Sequence, residues 1–433
     1  MRKTISGSVL LALVLRVSCF YLQFATALDT ITPSKSIKDP EVITSKNGVF
    51  RLGFFSFANS TNRYVGICYN HIPVQTVIWV ANRHKPLKDS SGTVKISEDG
   101  NLVVLNGQEE ILWSSSVTDS VANNSALLLD SGNLVLKDNN NGESIWESFQ
   151  HPSNAFMPTM RISTDVRTGK KVQVRSWKSP SDPSDGNFSY SLEPLNIPEL
   201  ILWKNNQKYS RTGPWNGGMF IGLIHMNTVY LDGFSLVADD QQETYYFTYV
   251  FSNKSEVLYY ELDSQGKTVK RKWDSAKGDW ENKVLILATD CDVYGKCGAF
   301  GSCDSTKPSI CSCLRGFEPR NREEWNSENW TSGCVRTTPL ECQKVNNGSE
   351  VGQEDGFLKL EMMKVPAFPD RSSVPEGNCK DQCLKNCSCV AYAYDAGIGC
   401  MFWSRNLIDI QKLSSQGVDL YIRVASSELG KLF

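Results

Sequence analysis

The 433-residue sequence is poor in histidine: His71, His84, His151 and His225 stand far apart. A histidine-based triad needs that side chain beside a nucleophile, so this chemistry is not expected. No G-x-S-x-G, HExxH, Walker or Rossmann run occurs, nor a kinase HRD or DFG triplet, and Asp232-Gly233-Phe234 reads only as a turn before a strand. Long apolar runs are also missing after the N-terminus. The best candidate, Val284 to Ala288, falls far short of the ~20 apolar residues of a spanning helix. Charge is balanced, with 45 Lys and Arg against 47 Asp and Glu and a formal net charge of −2, which gives no sign of nucleic-acid binding. A pair of carboxylates set apart for glycoside hydrolysis leaves no trace in sequence and stays open, but an enzyme is not expected.

Cysteine is nearly absent from the first 290 residues, which hold only Cys19 and Cys68. Twelve of the fourteen then fall between Cys291 and Cys400. So dense a cluster is read as disulfides, and disulfides imply an oxidising compartment. Zinc is the rival reading. Its knuckles usually show C-x2-C or C-x4-C spacing, often with histidine, whereas the close pairs here are Cys311/Cys313 and Cys387/Cys389, with the histidines far upstream.

Residues 1–27 read as a secretory signal: Arg2 and Lys3, then the apolar Val9 to Leu15, then Ala25-Thr26-Ala27 as a small-x-small cleavage site. The segment holds three basic and no acidic residues, so its removal would take the net charge from −2 to −5. Sequons at Asn59, Asn123, Asn187, Asn253, Asn329 and Asn347 agree with secretion. A seventh, at Asn386, has Cys387 as its middle residue. The chain is therefore expected to be extracellular, and at the cell surface if a longer form carries a membrane helix.

At this length several domains are expected. Short Val, Leu, Ile and aromatic runs alternate with Asn-Gly, Asp-Gly, Ser-Gly and Pro turns, which predicts a mainly β chain. Residues 96–146 hold a repeat. Ser97-Glu98-Asp99-Gly100-Asn101-Leu102-Val103-Val104-Leu105, followed by Trp113, returns as Leu129-Asp130-Ser131-Gly132-Asn133-Leu134-Val135-Leu136-Lys137, followed by Trp146. Such units bury their faces only against neighbours, which predicts a β-prism with one Trp per unit in the core.

Gly53-Phe54-Phe55-Ser56, Tyr64-Val65-Gly66-Ile67-Cys68-Tyr69, Trp79-Val80-Ala81-Asn82-Arg83 and the Gly-Asn-Leu-Val repeats resemble a bulb-type lectin domain. Trp177-Lys178-Ser179, Asp182-Pro183-Ser184-Asp185-Gly186 and Arg211-Thr212-Gly213-Pro214-Trp215-Asn216-Gly217 resemble the S-locus glycoprotein segment. Cys311-Ser312-Cys313-Leu314-Arg315-Gly316-Phe317 resembles an EGF-like domain, and Cys379-x3-Cys383-x3-Cys387-x-Cys389 followed by Cys400 a PAN/apple domain. In this order the chain resembles the extracellular region of plant S-locus glycoproteins and of G-type (bulb-type) lectin receptor-like serine/threonine kinases. The resemblance implies a signal at 1–27, a bulb-lectin prism at 28–150, a second β module at 151–286, an EGF-like domain at 287–334 and a PAN/apple domain at 342–424 with a short helix around Lys380 to Asn386. It implies the bridges Cys291–Cys303, Cys297–Cys311, Cys313–Cys334, Cys379–Cys400 and Cys383–Cys389, which leaves Cys342 and Cys387 to each other. No calcium-type acidic triplet precedes Cys291, and neither metal nor cofactor is expected. Cys68 stands where the family usually has tryptophan. It is either a buried small thiol or the source of an intermolecular bridge.

Mannose-binding members of the family use Gln, Asp, Asn, Val and Tyr at alternate positions of the repeat. Here Asp99, Asn101 and Val103 match in the first copy, while Ser97 and Leu105 replace Gln and Tyr. These three are the candidate sugar residues, although the lost hydrogen-bond partners argue against glycan binding. The resemblance implies instead an extracellular recognition module for pollen recognition or surface signalling, bound by a small secreted cysteine-rich peptide or another extracellular protein, with a homodimer also allowed. The alternative is a secreted S-locus-glycoprotein-like or mannose-binding protein with no signalling domain. Aromatics gather at Tyr245-Tyr246-Phe247 and Tyr259-Tyr260, and Met219, Phe220 and Ile221 are the candidate partner-binding residues, expected in an exposed loop.

Overall fold

The computed structural model describes residues 29–430 except 59, 119–122, 224–225, 227–232, 240, 242, 252, 254–255 and 344–354; the expected signal at 1–27 and the sequons at Asn59 and Asn347 lie outside the described residues. The chain is mainly β and falls into two compact units, one ending at Ser148 and the other starting at Phe149.

In the first unit the described strands are β1 (Thr30–Ile31), β2 (Ile37–Lys38), β3 (Val42–Thr44), β4 (Phe50–Phe55), β5 (Tyr64–Tyr69), β6 (Val77–Val80), β7 (Thr93–Ile96), β8 (Leu102–Leu105), β9 (Ile111–Ser114), β10 (Asn124–Leu128), β11 (Leu134–Asp138) and β12 (Ser144–Glu147). They form three antiparallel sheets ordered β3-β4-β5-β6, β2-β7-β8-β9 and β1-β10-β11-β12. Each sheet is a three-strand meander to which the thread 30–44 adds one edge strand. Strands this short cannot hold a hairpin alone, so the three sheets depend on a common core. Its centre is Trp79, Trp113 and Trp146, one from the last strand of each meander, in edge-to-face contact at centroid distances of 5.6–5.8 Å. Every meander also shifts register between its second and third strands, at Ile67/Cys68, Val104/Leu105 and Leu136/Lys137. A bulge there bends the strand that carries the tryptophan. Gly132 is required by this packing: its φ is +85°, and a Cβ would lie 2.7 Å from Ile78 Cδ1.

Cys68 sits within β5, opposite Arg51, and is buried and free. Burial pushes its thiol up to about 11, against a smaller downward pull from Arg51. The nucleophile is the thiolate, so a native alkylation at pH 8 is expected to leave Cys68 unlabelled, and unfolding to expose its thiol. A reducible dimer lost in Cys68→Ser would contradict this.

The second unit opens with three more antiparallel four-stranded sheets. One pairs 174–179, 182–193, 199–204 and 207–211 in chain order; a second runs 171–172, 162–165, 244–250, 233–239; a third runs 155–156, 258–262, 268–274, 279–286. Phe156, Phe234, Phe247, Tyr249 and Tyr260 from two of them pack ring against ring, stacked at Phe247 on Phe156 and Phe234 and tilted or edge-on elsewhere. The last region is one sheet of eight strands, ordered 311–313, 301–303, 410–412, 356–364, 418–424, 391–395, 399–403, 370–372. Its parallel pairing of Ser302 and Cys303 with Ile410 and Gln411 joins the first cysteine-rich segment to the last. The helix Glu376–Lys385 packs on this sheet through buried Cys379 and Cys383, and begins four residues before the expected Lys380.

Candidate functional site

The repeat turn is built by side chains bonding to one another. The Ser97 hydroxyl donates to Asp99, and the Asn101 N–H donates to Asp99 Oδ1 at 3.3 Å. Those bonds hold the exposed Asp99 carboxyl below the ordinary carboxylate range, the Ser97 hydroxyl acting most strongly. Asn101 is buried. Its Nδ2 donates to Asp99 Oδ2 (3.1 Å) and to the Val117 carbonyl (3.2 Å), while its Oδ1 accepts from Ser115 Oγ (2.8 Å) and the Val117 N–H (2.7 Å). That is the full capacity of a carboxamide. Val103 is 1% exposed. The candidate sugar residues therefore do not form an open site: Asn101 is spent on pinning the loop after β9, and Val103 on the core. The second copy repeats the pin, with Ser148 Oγ donating to Asn133 Oδ1 and accepting from the Leu134 N–H. Asx turns and strand packing explain the motif.

The candidate partner loop, expected to be exposed, lies largely in the core. Phe220 is 0% and Ile221 1% exposed. Asn216 Oδ1 accepts from the N–H groups of Gly218 and Met219, Gly217 takes φ +94°, and the chain doubles back so that Trp215 pairs with Phe220. The Phe220 ring then lies 5.0 Å from Trp215 and 5.2 Å from Phe247. Apolar residues after two glycines read as a loop; the reversal turns them inward, and only Met219 is part-exposed. Phe247, Tyr259 and Tyr260 are likewise core residues, whereas Tyr246 carries Arg161 on its ring at 4.5 Å.

Six bridges join Cys291–Cys303, Cys297–Cys311, Cys313–Cys334, Cys342–Cys387, Cys379–Cys400 and Cys383–Cys389, with Cα separations of 5.3–5.8 Å. Cys297, Cys303 and Cys311 bring their sulfurs within 4.8 Å of one another. All three belong to two neighbouring bridges, which accounts for the closeness without a metal. Asn123, Asn187, Asn253, Asn329 and Asn386 are exposed.

Two buried charge clusters escaped the sequence reading. In the first, Arg211 donates to Glu199 Oε1 (3.0 Å), Asp409 Oδ2 (2.7 Å), the Asp409 carbonyl (3.2 Å) and the Val365 carbonyl. Lys364 Nζ lies 3.0 Å from Asp409 Oδ2, and the Gly295 N–H donates to Asp409 Oδ1 at 3.1 Å. The four side chains are 0–3% exposed and their charges cancel. Burial alone would raise the Asp409 pKa, but Lys364 and Arg211 together hold it below the ordinary carboxylate range. Asp409 thereby fastens the middle sheets, the first cysteine-rich segment and the last sheet to one point. In the second cluster, Arg423 pairs with Asp355 at 3.0 Å and donates to the carbonyls of Cys383, Leu384, Asn386 and Cys389. It closes the C-terminal end of the helix 376–385, where a cation meets the last carbonyls and the negative dipole end.

The order of these parts has counterparts. The D-mannose binding lectin model matches residues 76–178, the S-locus glycoprotein domain 210–321 and the PAN-like domain 342–410. G-type lectin S-receptor-like serine/threonine-protein kinase SD1-13 of Arabidopsis thaliana is 46% identical over 98% of this chain and 51% of its own length. Its paralogue At1g11330 is 48% identical over 93% of this chain and 49% of its own. The chain belongs to the G-type lectin S-receptor-like family. It spans about half the length of the curated relatives it matches, and the matched domains of this G-type lectin chain are of lectin and recognition type, none of them catalytic. It is an ectodomain recognition module, and among the described residues no helix is long and apolar enough to cross a membrane. A monomeric mannose-binding lectin of Gastrodia elata aligns with 28% of this chain and 96% of its own at 22% identity, with a TM-score of 0.22, too distant to bear on the site.

Proposed function

We propose that this chain is the extracellular ligand-binding part of a receptor-type serine/threonine kinase, and that its ligand is a small secreted cysteine-rich peptide or another extracellular protein, engaged by one copy or by a homodimer. The observation that carries the reading is the extent of the match: nearly all of this chain aligns with only half of each kinase relative, and recognition domains fill that half. The module boundaries 28–150, 151–286, 287–334 and 342–424, a cleaved signal at 1–27 and glycans on the sequons belong to the same proposal, as does a role in pollen recognition or surface signalling. The closed Asn101 turn speaks against the mannose-binding alternative.

The test pairs a glycan array with titration of the glycosylated chain against secreted cysteine-rich peptides. A saturable peptide complex is expected, with no mannose-dependent signal. A basic peptide should associate ~10-fold or more slower as salt rises, because a mature chain at −5 attracts it from a distance. A mannose signal abolished by Asp99→Ala, with no peptide bound, would restore the lectin alternative.

A further inference from the structure

Two anchored loops of the second unit bound a cleft of about 300 Å³, walled by Pro194, Leu195 and Asn196 on one side and by Phe368 and Pro369 on the other. That volume is at the lower end of the ~300–1,000 Å³ of ligand sites, room for one or two side chains. The loop 365–369 is held along its length. The Val365 carbonyl accepts from Arg211, the Pro366 and Ala367 carbonyls accept from Trp403 Nε1 (3.3 and 3.1 Å), and the Ala367 N–H donates to the Ile408 carbonyl (3.0 Å). On the other wall Ile197 is a core residue, and Asn196 Nδ2 reaches Asp370 Oδ1 at 3.5 Å. From these anchored loops the chain shows apolar side chains to water: Phe368 is 59% and Leu195 38% exposed. Phe368 also takes φ +59°, in the left-handed region that an aromatic residue seldom adopts and that a following proline restricts further. Burial does not account for that backbone, because most of the side chain stays in water.

Beside the cleft the fold leaves a positive charge over. Lys208 is part-buried, its Nζ 4.2 Å from the Phe368 ring centroid and 5.0 Å from that of Tyr294. Lys204, on the same hairpin, stands 5.1 Å from the Tyr209 ring. Neither lysine makes an ion pair among the described residues. Glu199 and Asp409 act on Lys208 from a distance, but Arg211 and Lys364 already balance them. Burial lowers the Lys208 pKa in spite of their pull. An ammonium drawn partly out of water gains more from an incoming carboxylate than a solvated one does. The same charge argues against a second copy, since a two-fold contact sets one patch against itself and would bring lysine against lysine. An acidic partner is complementary; a like patch is not.

We propose that this cleft docks a segment of another extracellular protein in which a carboxylate side chain stands beside an aliphatic one, the aliphatic group lying on Phe368 and Leu195 and the carboxylate meeting Lys208. The proposal needs a recognition module, which the chain is, and not a cysteine-rich peptide as its ligand, so it can fail while that reading stands.

The probes are the capped peptide acetyl-Leu-Glu-Leu-amide, its glutamine counterpart, which keeps the shape without the charge, and acetate, titrated calorimetrically into the whole chain. The acidic peptide is expected to bind at least ~10-fold more tightly than the glutamine peptide, and Lys208→Met to weaken it ~10-fold, as for loss of one charge-assisted contact. Phe368→Gly is expected to weaken it ~10-fold as well, yet to melt no lower than the parent, because glycine takes φ +59° freely and the side chain removed is mostly in water. A ring kept for packing would behave in the opposite way: a lower melting temperature with the acidic peptide bound as before overturns the proposal. Lys208→Met keeps the aliphatic stem and breaks no ion pair, so it gives an independent reading of the charge. Equal binding of the two peptides, no change in both variants, or acetate binding as tightly as the acidic peptide also overturns it. Sedimentation of the parent and of Phe368→Gly decides on the remaining occupant: a dimer lost in the variant would give the cleft to a second copy and overturn the assignment.

Discussion

Asp409→Asn is expected to lower the stability of the second unit by about 3–5 kcal/mol, the usual cost of removing one partner from a buried pair. The parent cluster balances two cations, Arg211 and Lys364, against two carboxylates, Glu199 and Asp409, with none of the four side chains more than 3% exposed. The amide keeps the volume but leaves one positive charge uncompensated out of water. Adding Lys364→Met removes that excess, so the double variant should recover part of the loss. The cycle should show coupling well above the few tenths of a kcal/mol typical of independent sites. Additive losses would mean that Asp409 acts through packing alone.

The same residue sets an acid limit. Asp409 is held below the ordinary carboxylate range in the folded chain, so its contribution is present above the unfolded pKa of ~3.9 and is lost as pH falls through the lower, folded value. Stability should therefore fall in acid more steeply for the parent than for Asp409→Asn, and the two curves should converge below the folded value. Chemical denaturation followed at pH 7, 5 and 3 reads this out.

What could be read ahead of the structure follows from where each signal lies along the chain. Two of the three prism units were legible because Asn101 and Asn133 each open a strand after an Asp-Gly or Ser-Gly turn and each precede a tryptophan. The third unit, 50–80, has the same meander, the same bulge, Trp79 in the matching place and a turn of the same kind at Asn47-Gly48, where the Gly48 N–H donates to the Ser45 carbonyl as Gly100 does to Ser97 and Gly132 to Leu129. Val49 follows the turn glycine where Asn101 and Asn133 follow theirs, so the Gly-Asn-Leu-Val pattern that marks the other two is missing there. Long-range pairings left still less trace. Arg211 sits in a Gly- and Pro-rich stretch that reads as a turn, and its partner Asp409 is 198 residues away. The bridge between Cys303 and Gln411 that fuses two cysteine-rich segments into one sheet is a register fact with no local signature. Phe220 is hard to place from sequence for a related reason: the Asn216 side chain, accepting from the N–H groups of Gly218 and Met219, reverses the chain, and hydropathy alone does not tell a loop from a hairpin folded onto the core.

Arg423→Met is expected to be nearly as costly as Asp409→Asn, about 3–5 kcal/mol, and more local. Arg423 is the partner of Asp355, whose side chain is 0% exposed and whose Oδ1 also accepts from the Glu341 N–H. Methionine fills much of the space but strands that carboxylate and leaves the carbonyls of Cys383, Leu384, Asn386 and Cys389 short of a donor. Arg423→Lys should rescue little, since one ammonium cannot reach a carboxylate and four carbonyls at once. The helix 376–385 is tied at Cys379 and Cys383 to Cys400 and Cys389, so it should loosen at its C-terminal turn without detaching. Amide exchange is the sensitive measurement. Protection is expected to drop for residues 383–390 and for the strand 418–424, while the tryptophan-centred first unit exchanges as before. A uniform drop across both units, or a rescue by lysine to parent levels, would show that Arg423 acts as a general charge and not as the fork that closes this helix.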